Sequence, residues 1–233
     1  MNIIITGATK GIGRAVAESF AGQGFDLFVC SRNQADLNEM KKLLAKKHPD
    51  IAIHTMAVDI SKKKQVLAFA GFIRERTEKI DVLVNNAGAF LPGLITEEAD
   101  GALETLIETN LYSAYRLTRA ILPLIRNNGK GHIFNMCSVA SILAYPHGGS
   151  YSISKFALLG FSKVLREELK ETAIKVTAIL PGATWSSAWA GAGFPEERLM
   201  QAADIARTIL AAYQLSDSAV VEEIVIRPQL GDI

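Results

Sequence analysis

Short β-branched runs alternate with amphipathic helical stretches from one end of the chain to the other, and this alternation constrains the fold more than any other feature. The candidate strands read NIIIT (2–6), DLFVCS (26–31), IAIHTMAVD (51–59), DVLVN (81–85), HIFNMCS (132–138), KVTAIL (175–180) and EEIVIR (222–227). Ile3, Ile4 and Ile5 are apolar at consecutive rather than alternate positions, as in a parallel sheet covered on both faces. Between the first two strands, Ile12, Val16 and Phe20 recur at i, i+4 and i+8, one stripe of a helix. Further helical patterns cover 35–47, 62–78, 100–127, 151–172 and 203–214, with Ser61 placed to cap the one at 62–78. Repeated strand–helix–strand units need right-handed crossovers. They predict one doubly wound α/β domain over residues 1–233, a mostly parallel seven-stranded sheet with helices on both faces. No linker, repeat or low-complexity tract divides the chain. The irregular stretch 182–196 is expected to be a loop over the carboxyl edge of the sheet.

Composition narrows the function. Apolar residues make up 49% of the 233 and charged residues 21%, which predicts a sizeable core, and the net charge is +1. No basic block rises above that balance, so nucleic acid and anionic membrane surfaces are not expected partners. Lys62 to Lys64 read as a solvated helix start. Cys30 and Cys137 sit in apolar strand-like runs and read as buried, reduced thiols. No apolar run is long enough to span a bilayer, and MNIIITGATKG lacks a signal-peptide pattern, so a cytoplasmic location is expected. No His, Cys, Asp or Glu cluster has metal-ligand spacing, and no metal is expected.

TGATKGIG, Thr6 to Gly13, lies directly between the first strand and the first helix. A glycine-rich turn there lets backbone amides and a helix N-terminus face a pyrophosphate. Glycines also serve tight turns for packing alone, but this placement favours dinucleotide binding. YSISK, Tyr151 to Lys155, stacks a phenol and an ammonium on one face of a helix. An ammonium so placed favours the phenolate and lowers a pKa that is ordinarily about 10.

These motifs together resemble the short-chain dehydrogenase/reductase family. Thr6, Gly7, Gly11 and Gly13 match its TGxxxGxG turn, with Ile12 inside it, and NNAG (Asn85 to Gly88, including Ala87) follows the fourth strand. Asn110, Ser138, Tyr151 and Lys155 come next in family order, and Pro181–Gly182 ends the sixth strand. The resemblance implies a Rossmann-type domain that interconverts a carbonyl compound and an alcohol. It implies Tyr151 as general acid/base, Ser138 as the residue orienting the substrate oxygen, and Lys155 as both tuner of Tyr151 and holder of the nicotinamide ribose. Asn110 would hold a water linking Lys155 to solvent, and the amide of Thr184 would hold the carboxamide. It also implies a homodimer or homotetramer, pairing the helices at 100–127 and 151–172 through residues such as Leu158, Leu159, Phe161 and Leu165.

A ribose 2′-hydroxyl is usually met by an acidic residue at the end of the second strand, and a 2′-phosphate by cations. Here the strand ends in Ser31 and Arg32, and Lys10 adds a cation inside the turn. That pattern favours NADP(H). Asp59 resembles the family's adenine contact and is equally a capping acid.

The chain departs from the family pattern at Thr184, where Val or Ile is common, and at Ser186, where Thr is common. Its ending, EEIVIRPQLGDI, looks more like the branch of 3-hydroxy-acid dehydrogenases and small-carbonyl reductases than the 3-oxoacyl-carrier-protein reductases. Trp185, Trp189 and Phe194 either wall an apolar pocket or pack the last helix, and His147 either lines that pocket or belongs to a turn. A cofactor-binding regulatory protein without turnover is the rival reading; it is disfavoured because every catalytic position is present. An epimerase or dehydratase on a related fold would need a larger substrate domain than 233 residues allow.

Overall fold

The computed structural model describes residues 1–186 and 195–231. The strands are β1 (Asn2–Thr6), β2 (Asp26–Ser31), β3 (Ile53–Ala57), β4 (Val82–Asn85), β5 (Gly131–Met136), β6 (Ile174–Pro181) and β7 (Glu223–Ile226). They form one sheet in the order β3-β2-β1-β4-β5-β6-β7. Every pairing is parallel. The helices are α1 (Gly11–Ala21), α2 (Gln34–Lys47), α3 (Lys63–Arg74), α4 (Ala102–Leu106), α5 (Ser113–Asn127), α6 (Gly149–Leu169) and α7 (Ala202–Tyr213).

The consecutive isoleucines of β1 show why a strand buried on both sides reads this way. Ile3 and Ile5 pack with Val16 and Phe20 of α1, Leu37 and Met40 of α2, and Ile205 and Ile209 of α7. Ile4 points to the opposite face, among Val66 and Phe69 of α3, Leu117 and Ile121 of α5, and Leu165 and Leu169 of α6. Each isoleucine is fully removed from solvent, which stabilises the fold by roughly 1.5–3 kcal/mol per side chain. Strand order reverses between β1, which pairs β2 on one side, and β4 on the other. At such a switch point the crossovers diverge to opposite faces and leave a crevice at the carboxyl ends of the strands. Thr6, Asn85 and the residues after them stand there.

The expected helix 100–127 is interrupted. A π turn, Ile107–Tyr112, separates α4 from α5 and carries Asn110. Ser61 does not cap α3: its hydroxyl donates to Asp59 Oδ1 at 2.7 Å, and Lys62 precedes the helix without a side-chain cap. Nor are the leucines expected at a partner interface available to one. Leu158, Leu159 and Leu165 are buried in this chain's own core, because α6 turns that stripe onto the sheet. Phe161 packs edge-on against Tyr115. Cys30 and Cys137 are buried and unpaired, and burial pushes their thiols up to about 12 and about 11. Among the described residues no helix is long and apolar enough to cross a membrane.

Candidate active site

The glycine-rich turn is built by backbone and fastened from two strands. Gly7 N donates to Cys30 O at 2.9 Å, tying the turn to β2. Asn86 Nδ2 donates to Thr6 O at 2.8 Å and Gly7 O at 3.1 Å, tying it to the end of β4. Thr6 Oγ1 in turn accepts from Asn86 N and Ala87 N. Gly7 and Gly11 have φ of +67° and +52°, a region that disfavours residues with a Cβ. A Cβ on Gly13 would collide with Gly7 O and lie 2.5 Å from Asn86 Nδ2. Lys10, preceding α1, provides no side-chain cap, so the first-turn amides keep their capacity to bind an anion. A Cβ on Gly11 would meet nothing nearer than Ser186 Cβ at 3.5 Å, so the outer face of the turn is open. These features fit the phosphates of a dinucleotide.

At the neighbouring end of β2, Ser31 Oγ and Thr9 Oγ1 are 3.0 Å apart. Arg32 is exposed and forms no ion pair among the described residues, whereas Lys10 Nζ lies 3.2 Å from Asp36 Oδ2. The Lys10 charge is therefore shared with a carboxylate of α2. Asp59 accepts hydrogen bonds from Ser61 N and Oγ, which hold its carboxyl below the usual range, so it organises the turn into α3. Asn85 sits deeper: its Nδ2 donates to Thr118 Oγ1 and Asn135 Oδ1 inside a buried network.

Ser138, Tyr151, Lys155 and Asn110 converge above β4 and β5. Ser138 follows β5 and opens a short 3₁₀ turn, Val139–Ser141, its Oγ accepting from Ala140 N at 3.1 Å. The same hydroxyl stands near enough to the Tyr151 phenol to favour its ionised form. Tyr151 and Lys155 are one turn apart on α6. Lys155 is buried, donates from Nζ to Met136 O at 2.8 Å, and stands 5.7 Å from the Tyr151 ring centroid. Asn110 Oδ1 accepts from Ala89 N at 2.7 Å, while its Nδ2 donates to Ala89 O and Ser154 Oγ. A Cβ on Gly88 would lie 3.1 Å from Asn110 Oδ1 and 3.6 Å from Lys155 Nζ, so glycine keeps that approach open. The π turn presents Asn110 here; such turns recur at functional sites.

The electrostatics differ from the sequence expectation in one respect. Burial raises the Tyr151 pKa, and the nearby Ser138 hydroxyl only partly opposes it. Burial also pushes Lys155 down to about 8. Desolvation is the largest influence on the phenol and acts against the phenolate.

Pro181 ends β6, its carbonyl 3.5 Å from Ser138 Oγ, and Gly182 N donates to Ile226 O. Thr184 bridges to Met200, and the amide of the half-buried Trp185 donates to Met200 O at 2.7 Å, so this part of the loop is tied to the segment before α7. Trp189 and Phe194 lie outside the described residues. His147 is exposed with φ +62°, and its carbonyl accepts from Gly93 N; its backbone makes a turn.

Asn86, Ser154, Phe90 and Glu98 were missed from the sequence. Asn86 was available within NNAG, and Ser154 within YSISK, one turn from Tyr151. Phe90, whose ring meets Tyr151 edge-on at 4.8 Å, and Glu98 carry no local signal. No group of His, Cys, Asp or Glu among the described residues is arranged to hold a metal.

Comparison with known proteins agrees with this geometry. The chain is 34% identical to sepiapterin reductase of Chlorobaculum tepidum, covering 99% of this chain and 97% of that one. Among solved structures it is similar to an alcohol dehydrogenase of Thermococcus sibiricus complexed with 5-hydroxy-NADP (TM-score 0.90, 26% identity, 98% and 96% covered). It is also similar to L-sorbose reductase of Gluconobacter frateurii complexed with NADPH and L-sorbose (TM-score 0.87, 26% identity, 97% and 95% covered). Residues 1–193 match the model of the short chain dehydrogenase family, and the chain belongs to that family of oxidoreductases.

Proposed function

We propose that this protein is an NADP(H)-dependent oxidoreductase that interconverts a ketone or aldehyde and its alcohol, with Tyr151 as general acid/base. The observation that carries the reading is Tyr151 one turn before the buried Lys155 on α6, its ring centroid 5.7 Å from Nζ, with the Ser138 hydroxyl beside the phenol. When bound, the nicotinamide supplies or accepts the hydride. The first-turn amides of α1, Gly88 and Lys155 would hold it, with Arg32 and Lys10 at the 2′-phosphate. Tyr151 donates its phenolic proton to the substrate oxygen during reduction, and Ser138 holds that oxygen in line. A raised phenol pKa keeps Tyr151 protonated at neutral pH, the state that reduction needs. Lys155 supplies the positive charge on which regeneration of the phenol depends, and Asn110 links it towards Ala89 and the solvent side. The likeness to a sepiapterin reductase, to an alcohol dehydrogenase complexed with 5-hydroxy-NADP and to an L-sorbose reductase complexed with NADPH and L-sorbose supports the cofactor and the carbonyl class.

The test is NADPH absorbance with a panel of sepiapterin, ketoses, 3-oxo esters and small aldehydes. Turnover of at least one, with NADPH preferred over NADH, is expected. Charge-assisted bonds to a phosphate contribute roughly 1.5–3 kcal/mol each, and the Asp36 partner of Lys10 reduces its share. Arg32→Asp should shrink or invert the preference; an unchanged ratio would remove Arg32 from the site. NADPH binding without turnover of any carbonyl would favour the regulatory reading instead.

We also infer a homo-oligomer. Tyr112, Tyr115, Ile153, Phe156 and Val164 leave exposed apolar surface on the π turn, α5 and α6. A stable monomer in sedimentation at micromolar concentration would refute it.

A further inference from the structure

The open side of Tyr151 is bordered by residues 89–99, a segment no catalytic motif covers. Several contacts fasten it to the first turn of α6. Glu98 accepts hydrogen bonds from Ser150 N at 2.9 Å and from Ser150 Oγ. Gly93 N donates to His147 O at 3.0 Å. Phe90 meets the Tyr151 ring edge-on. Gly148, preceding α6, gives no side-chain cap, so a carboxylate 52 residues away in sequence supplies the acceptor and the negative charge that this helix start favours.

The joint tolerates little change. A Cβ on Gly149 would run into Glu98 Oε1 and Gly93 O, and one on Gly93 would lie 2.8 Å from Glu98 Cγ. His147 holds a left-handed backbone, unusual for a residue with a Cβ, at φ +62°. Yet His147 is exposed and Glu98 only half-buried, so core packing does not explain the constraint. It falls immediately before Tyr151.

We propose that Glu98 is a positioning residue for the reaction. Its carboxylate straps residues 89–99 to α6, so that Phe90 stands as a fixed wall beside the Tyr151 phenol and limits how a substrate approaches the proton. This rests on the reading of Tyr151 as the acid, and the strap can be tested apart from it. Glu98→Ala removes the acceptor. Glu98→Gln keeps an oxygen for Ser150 N and offers an amide to Ser150 Oγ.

Amide hydrogen exchange followed by mass spectrometry should accelerate by about tenfold or more in the peptides 88–99 and 148–155 of Glu98→Ala. Peptides from β1 to β4 should stay as in the wild type, and Glu98→Gln should remain close to it throughout. With the carbonyl compound of the panel that the wild type reduces fastest, Glu98→Ala should lower kcat/KM by about 10- to 100-fold, as misplacement of reacting groups does. NADPH affinity, read by its fluorescence, should hardly move, and Glu98→Gln should recover most of the activity. Unchanged exchange in Glu98→Ala overturns the strap. Normal kcat/KM in Glu98→Ala, equal losses in both variants, or a parallel loss of NADPH affinity overturns the positioning role. A wild type inert towards every carbonyl overturns the reaction itself, while the exchange result still decides the strap.

Discussion

The two sides of the crevice are built by different means. The glycine-rich turn is shaped by glycine backbone and pinned by neighbours: Gly7 N bonds Cys30 O of β2, and the amides of Asn86 and Ala87 close on the Thr6 hydroxyl. The side that carries Tyr151 is held by side chains that meet across long stretches of sequence, Asn110 on Ser154 and Glu98 on Ser150. A backbone-built site needs residues with a special conformation and leaves glycines as its trace. A side-chain-built site needs only ordinary residues brought together by the fold. The first should fail when a glycine is lost; the second should fail one side chain at a time.

Tyr151→Phe tests that difference most severely. Turnover should fall by roughly 10²–10⁴-fold, the range typical of a lost general acid, while NADPH affinity stays near the wild-type value. Substantial retained activity would move the acid elsewhere. Lys155→Met spans both sides of the crevice, so cofactor affinity and rate should fall together; loss of only one would separate its two roles. Gly13→Ala attacks the backbone-built side. The added methyl collides with Gly7 O, and overpacking of this kind costs about 1–3 kcal/mol. NADPH affinity and Tm should drop while hydrogen exchange around Tyr151 stays unchanged; a variant with normal affinity would show that the turn relaxes.

The smallest effect on activity belongs to His132, on β5 near the opposite end of the sheet. Its ring stacks on Phe134 at 3.9 Å, its Nε2 lies 2.7 Å from Thr177 Oγ1, and burial pushes its pKa down to about 3. The unfolded chain takes up a proton near pH 6.5 that the folded chain refuses until about pH 3. Stability from this group is therefore complete above pH 6.5 and declines as the pH falls towards 3. Between pH 6.5 and 5 the loss is about 2 kcal/mol. His132→Phe should flatten the acid limb of a denaturation series without altering turnover at pH 7. An unaltered acid limb would assign the loss to other groups.

The same contrast explains what could be read from the sequence. All strands were legible to within a few residues, because a parallel sheet buried on both faces forces runs such as Ile3 to Ile5. The turn was legible through Gly7, Gly11 and Gly13. Phe90 and Glu98 were not, since nothing beside them in sequence marks a partner on α6. Ser61 was misread because α3 begins at Lys63, which puts Lys62 rather than Ser61 in the capping place. Leu158, Leu159 and Leu165 were misassigned because an apolar stripe does not say whether its own sheet or a second chain will cover it.

The π turn at Ile107–Tyr112 has a consequence for insertions and deletions in this chain. An α-helix advances about 100° per residue, so α4 and α5 are out of phase by the extra residue between them. Leu106 before the turn and Leu117 after it are both fully buried, and each fixes the rotation of its own segment. Deleting one residue would make the helix regular but rotate one of those leucines out of the core or swing Asn110 away from Ala89. Chain length between Leu106 and Leu117 is thus constrained by the burial of both leucines.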